Sequence, residues 1–218
     1  MFKNIIFDFD GVLAESLHIK TKAFFEIYLK YGENIADKVV THHKLNGGMS
    51  RFEKFKHYHN YFLKKNISKE EILFLSNEFS NKVLNGVMSC ENVKGVEWFL
   101  NKHNSKKKWI VSATPTEEII KIVDNRKWDS IFEGVFGSPE KKTPIVKRII
   151  ENNNLDVSET LFLGDAISDY EAAKNNRISF LLRRTEDNFE IYHKLNGVKS
   201  FTDFYDLEKK YFNENFTD

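Results

Sequence analysis

The chain has 218 residues, with 33 Lys and Arg against 32 Asp and Glu and a formal charge of +1. That balance leaves no net field to gather nucleic acid or an anionic membrane surface, so any phosphate recognition has to be local. Cys90 is the only cysteine, which excludes an intramolecular disulfide and leaves a cysteine-based zinc centre without partners.

The first residues run straight into an apolar strand, and no apolar run approaches the ~20 residues needed to cross a bilayer, so a soluble cytoplasmic protein is expected. In "NIIFDFDGVLAES", residues 4–16, alternation puts Ile5, Phe7 and Phe9 on one face and Ile6, Asp8 and Asp10 on the other. Apolar residues on both faces predict a strand covered on both sides, as in a parallel sheet between helices. Two carboxylates on one face repel each other unless a positive group lies between them.

Residues 17 to about 88 have a helical texture. Ile19, Ala23, Ile27 and Tyr31 recur every four residues, Gly32 stops that helix, and Ser50 with Glu53 and Ser68 with Glu71 form capping boxes for two more. Four further apolar runs follow: "KWIVSA" (108–113), "GVFGS" (134–138), "TLFLGD" (160–165) and "ISFLLRR" (178–184). Helix starts are predicted between them at Thr114, Pro115 and Glu117, at Thr143 and Pro144, and at Ser168 with Glu171. The expected fold is therefore α/β, a doubly wound parallel sheet carrying an inserted all-helical domain. Residues 1–15 and 89–218 form the Rossmann-like core and 16–88 the insert.

A doubly wound sheet gathers its strand ends at one rim. The rim would hold Asp8 and Asp10, Ser112, Asp165 and Asp169, and a lysine from "GSPEKKTP". Several carboxylates with one hydroxyl and one ammonium suit Mg²⁺, which prefers a few carboxylates, waters and a substrate phosphate. A carboxylate such as Asp8 can act as nucleophile, and a second one, Asp10, as general acid and then base. His42, His43, His57 and His59 are adjacent or two apart, spacings that point in different directions on a helix, so no histidine metal site is expected. In "LNGGMSRFEKF" (45–55), Gly47 and Gly48 break one helix and Ser50 starts the next, which sets Arg51 in a first helical turn beside free N–H groups.

"FDFDGVLAES", "IVSAT", the lysine of "GSPEKKTP" and "LFLGDAISD" resemble, in order and approximate spacing, the four motifs of the haloacid-dehalogenase-like hydrolase superfamily, with the helical block placed like its small helical cap. The resemblance spans essentially the whole chain. It implies that Asp8 attacks phosphorus and that Asp10 protonates the leaving group and later activates water. It implies further that Ser112, with Ala113, and a lysine hold the phosphoryl group. Asp8, the carbonyl of Asp10, and Asp165 would bind Mg²⁺, with Asp169 as a further ligand or an acid behind the ligands. Because Thr143 interrupts the family's usual lysine–proline pattern, the lysine is Lys142 or, as the fallback, Lys141. A cap loop of this kind would bring Gly48 and Arg51 onto the leaving group, with Lys54 the weaker candidate.

The implied activity is a Mg²⁺-dependent phosphatase acting on a phosphoglycolate-like or sugar phosphate through an aspartyl phosphate. Its partner would be a small-molecule phosphate, with neither nucleic acid nor membrane, and the chain would be a monomer or weak homodimer. The rivals are a phosphotransferase or sugar-phosphate mutase, which Lys20 disfavours because it stands where family mutases carry a histidine, and a non-catalytic binding protein that retains the fold.

Overall fold

Side chains alternating between two apolar faces put β1 (Asn4–Phe7) in the middle of a parallel sheet. In the computed structural model, which describes residues 2–213, β1 is followed by β2 (Lys107–Pro115), β3 (Gly134–Ser138), β4 (Thr160–Gly164), β5 (Ser179–Arg183) and β6 (Ser200–Phe201). They pair in the order β3-β2-β1-β4-β5-β6, and every pairing is parallel. Ile5, Phe7 and Phe9 enter the larger buried cluster. Ile6 enters the smaller one with Trp109, Val111 and Phe162.

Between β1 and β2 the chain is helical: α1 (Leu17–Leu29), α2 (Glu33–Leu45), α3 (Arg51–His57), a π-helical turn at Tyr58–Phe62, and α4 (Lys69–Ser89). Gly32 separates α1 from α2 at φ +99, a conformation that a Cβ would oppose. Both predicted capping boxes form: the Ser50 and Ser68 hydroxyls accept from the N–H groups of Glu53 and Glu71 at 3.3 and 3.1 Å. Phe24 holds this segment together, its ring against those of Phe55, Tyr58 and Phe79. The two connections to the sheet run side by side. Glu15 N–H donates to the Glu91 carbonyl at 2.9 Å and Val93 N–H to that of Leu13 at 3.0 Å.

The later helices are α5 (Val96–Lys102), α6 (Thr116–Asn125), α7 (Lys142–Asn152), α8 (Ile167–Asn175), α9 (Phe189–Lys194) and α10 (Phe204–Tyr211). α5, α6 and α10 pack into the larger cluster, while α7 and α8 pack into the smaller. Among the described residues no helix is long and apolar enough to cross a membrane.

Three predicted helix starts are corrected. β2 continues through Thr114 to pair Pro115 with Ser138, so α6 opens at Thr116 and Thr114 is not its cap. α7 opens at Lys142, which puts Thr143 inside the helix. α8 opens at Ile167, where the Asp169 carboxylate accepts from the Ala166 N–H at 3.0 Å; Ser168 does not cap it. Strand β6, two residues long, has no counterpart among the predicted strands.

Candidate active site

β1 stops at Phe7, but the next N–H, that of Asp8, still donates to the Leu163 carbonyl on β4 at 2.9 Å. Asp8 therefore emerges beside Asp165, the residue that follows β4. The sheet order reverses between these strands, since β1 connects on to β2 on one side while β4 leads to β5 and β6 on the other. The crevice beyond the carboxyl ends at such a reversal is where open α/β sheets bind ligands.

Three acids meet there. Oxygen atoms of Asp8, Asp165 and Asp169 lie within 4.8 Å of one another, all buried. Lys142 reaches in from the start of α7, its Nζ 2.8 Å from Asp8 Oδ2 and 2.6 Å from Asp169 Oδ1. The other Asp169 oxygen accepts from the N–H groups of Asp165 and Ala166 at 3.2 and 3.0 Å. Asp169 is thus committed to the lysine and to the opening of α8. Of the two candidate lysines, Lys141 lies outside this group, exposed and 3.7 Å from Glu53.

Asp10 sits in a different set of bonds. Its Oδ1 accepts from the Ser16 hydroxyl at 2.6 Å, and its Oδ2 lies 2.5 Å from Lys20 Nζ and accepts from the Thr114 hydroxyl at 3.0 Å. Lys20 also donates to Thr114 Oγ1 at 2.7 Å, closing a triangle. The Ser112 hydroxyl is 3.5 Å from the same Asp10 oxygen and accepts from the Thr114 N–H at 3.1 Å. Sequence reasoning credited Thr114 to a helix cap and missed it, together with Lys20 and Ser16, as Asp10 partners. A signal for two of these was present: Ser16 and Lys20 stand four apart at the start of α1 and so share a face.

The donor set fits a divalent cation. Burial, then the neighbouring charges of Asp169 and Asp10, push the Asp8 carboxyl up to about 7 despite Lys142. Burial, followed by Asp8 and Asp169, holds Asp165 well above the carboxylate range. Among the described residues no cation or donor reaches the Asp165 carboxylate, and the backbone leaves it room. Gly11, at φ +75, passes so close that a Cβ there would collide with Asp165 Oδ2. Asp10 goes the other way: burial opposes its charge, but Lys20, Ser16 and Thr114 more than offset that and hold it below the carboxylate range.

The helical segment closes over this rim. The loop at Gly47 and Gly48 rests on α8, where a Cβ on Gly48 would strike the Ser168 hydroxyl. A cavity of about 310 Å³ opens between Gly48, Ser112, Ala113, Lys142 and Ser168. A smaller one, about 40 Å³, lies between Asp8, Asp10 and Asp165 on one side and Lys20, Arg51 and Lys54 on the other.

Arg51, expected on the leaving group, is also tied to a partner across the rim. Its Nη1 and Nη2 donate to the two Glu118 oxygens at 2.9 and 2.6 Å, and Nη1 also donates to the Ser80 hydroxyl at 2.6 Å. These bonds take three of the five guanidinium N–H groups, and Arg51 still lines the smaller cavity. The histidines have separate partners. His42 stacks on His57 at 4.1 Å, His59 meets the Tyr28 hydroxyl at 3.1 Å, and His43 meets Lys54 at 2.8 Å.

Comparison with known proteins bears on this geometry. A family model described as haloacid dehalogenase-like hydrolase matches residues 5–182. Curated protein sequences give no match. Among solved structures, β-phosphoglucomutase from Clostridium difficile is similar at 19% identity and a TM-score of 0.74, covering 93% of this chain and 92% of that one. CbbY from Rhodobacter sphaeroides, in complex with phosphate, is similar at 16% and 0.73, covering 95% and 96%. A haloacid dehalogenase-like family protein from Streptococcus pneumoniae is similar at 16% and 0.70, covering 95% and 98%. At these identities the likeness is one of fold.

Proposed function

The chain belongs to the haloacid dehalogenase-like hydrolase family, and from that premise we propose that it is a Mg²⁺-dependent phosphatase that hydrolyses a small phosphate monoester through an aspartyl phosphate on Asp8. The observation that carries the reading is the meeting of Asp8, Lys142, Asp165 and Asp169 in the crevice at the strand reversal. The phosphate in the CbbY structure supports a phosphorylated small molecule as the substrate class.

Asp8 attacks phosphorus with one carboxylate oxygen. Lys142 holds that carboxylate in place and offsets the charge of the transferring group, as phosphoryl transfer requires. Ser112 and Ala113 face the same cavity and donate to the phosphoryl oxygens. Asp10, two residues beyond the nucleophile and held ionised by Ser16, Lys20 and Thr114, relays to the leaving oxygen the proton that a monoanionic ester brings, and later draws one from water. Asp8, Asp165 and the carbonyl of Asp10 would hold the Mg²⁺, which when bound supplies positive charge to the phosphoryl oxygens. Asp169 positions Lys142 behind them. Residues 16–88 act as a cap whose loop at Gly48 excludes water while Asp8 attacks.

The test is phosphate release from p-nitrophenyl phosphate, with Mg²⁺ and with chelator, by the wild type and by Asp8→Asn. Release that needs Mg²⁺ and is abolished by the substitution is expected. Release that persists undiminished in Asp8→Asn would overturn the assignment.

A further inference from the structure

We infer that Lys54, oriented by His43, recognises an anionic group on the alcohol part of the substrate, a carboxylate or a second phosphate carried close to the ester oxygen. The inference rests on the phosphatase reading for the place of the ester.

Three cations of the helical segment face the small cavity, and two are already balanced. Arg51 is paired with Glu118 and Lys20 with Asp10. Lys54 is only 2% exposed, and among the described residues no carboxylate lies within ion-pairing distance of it. Its Nζ instead donates to His43 Nδ1 at 2.8 Å and lies 5.5 Å from the centre of the Phe24 ring. Burial, with the charge of Lys54 next, keeps His43 well below the ordinary histidine range, which leaves the ring neutral and able to accept.

A buried ammonium facing a neutral ring and an aromatic face is strongly disfavoured unless something brings a negative charge to it. Burial accordingly pulls Lys54 down to about 7, with Lys20 pushing the same way and Asp10 and Asp165 opposing. The cavity joins Lys54 directly to Asp8 and Asp10, so the missing charge belongs to whatever lies between them. At about 40 Å³ it takes roughly three water-sized groups. That suits a compact acid better than a hexose, and a hydroxyl there would leave the ammonium uncompensated.

Two phosphonates of equal length test this without turnover: 3-phosphonopropionate, which ends in a carboxylate, and propylphosphonate, which ends in a methyl group. Calorimetric titration in Mg²⁺ is expected to show the wild type binding the first about 30-fold more tightly. Lys54→Met, which keeps the buried stem, is expected to bring the two within about threefold by weakening only the first; Lys54→Gln serves if Met does not fold. Equal affinities in the wild type, as a deprotonated amine would give, overturn the inference. So does binding of neither compound, or an equal loss on both in the variant. Failure of the phosphatase reading looks different: no phosphate is released from p-nitrophenyl phosphate while the carboxylate preference persists.

Discussion

The Arg51–Glu118 pair joins α3 of the helical segment to α6 beside the sheet, and breaking it has a calculable consequence. Both side chains are under a tenth exposed, and the contact is a two-pronged one at 2.6 and 2.9 Å. Glu118→Gln strands the guanidinium with the Ser80 hydroxyl and half an amide, and the loss of one partner from a buried pair costs about 3–5 kcal/mol. With a urea slope of ~1–3 kcal/mol/M, the unfolding midpoint is expected to fall by roughly 1 M or more. Arg51→Met is expected to cost a similar amount, whereas the double variant Arg51→Met, Glu118→Leu recovers most of it, since apolar groups of similar volume replace such pairs at little net cost. Single losses below about 1 kcal/mol that simply add would refute the reasoning. Acid sharpens the test. Burial works against the Glu118 charge, but the hydrogen bonds and charge of Arg51, with Ser80, hold its carboxyl below the ordinary 4.5. A lowered folded value means the contribution is complete above that pH and is lost as pH falls through the folded value. The wild type's advantage over Glu118→Gln should therefore fade only in acid below about 4.5.

Three other substitutions, with one control, address the catalytic rim. Lys142→Met removes the one cation that, among the described residues, is bonded to Asp8, and kcat is expected to fall by about 10²–10³, while Lys141→Met leaves it unchanged; comparable effects in steady-state assays would reassign the lysine. Thr114→Val keeps the volume but leaves Asp10 and Lys20 short of a partner, and at ~1–3 kcal/mol for such a loss a fall in kcat of roughly tenfold or more is expected; an unchanged rate removes Thr114 from the site. Gly11→Ala asks for φ +75 with a side chain, at about 1–2 kcal/mol, and drives a methyl into Asp165. Activity is expected to fall by more than the shift in urea midpoint accounts for, and equal retention of both would show that the Asp165 position is not critical.

How far the sequence speaks depends on whether the information is local. β1 was legible because its apolar residues occupy both faces, and the capping boxes at Ser50 and Ser68 because each is complete within four residues. The start at Thr114 misled for the same reason: "TPTE" is a sound local signal for a helix cap, but pairing with β3 carries β2 past it and releases the hydroxyl to Asp10. Asp8, Asp165 and Lys142, expected at one rim, do lie together there, because each follows a strand or opens a helix at that edge. Arg51 does lie near the rim, but its pairing with Glu118 was not legible, because Glu118 lies 67 residues away on another helix and nothing in either stretch names the other.

Charge at the site follows the same division, and it explains why the whole-chain value of +1 is silent about function. Asp8, Asp10, Asp165 and Asp169 all come from the sheet's strand ends and the helices that follow them, and of their lysine partners only Lys142 does. Lys20, Arg51 and Lys54 come from the helical segment. With Lys20 and Lys142 set against four carboxylates, the rim keeps two negative charges, the amount one divalent cation neutralises. Glu118 accounts for Arg51. Of the cations lining the small cavity, Lys54 is the one with no ion-pair partner among the described residues, so closing the helical segment on the rim brings in a positive charge that only the more distant Asp10 and Asp165 attract.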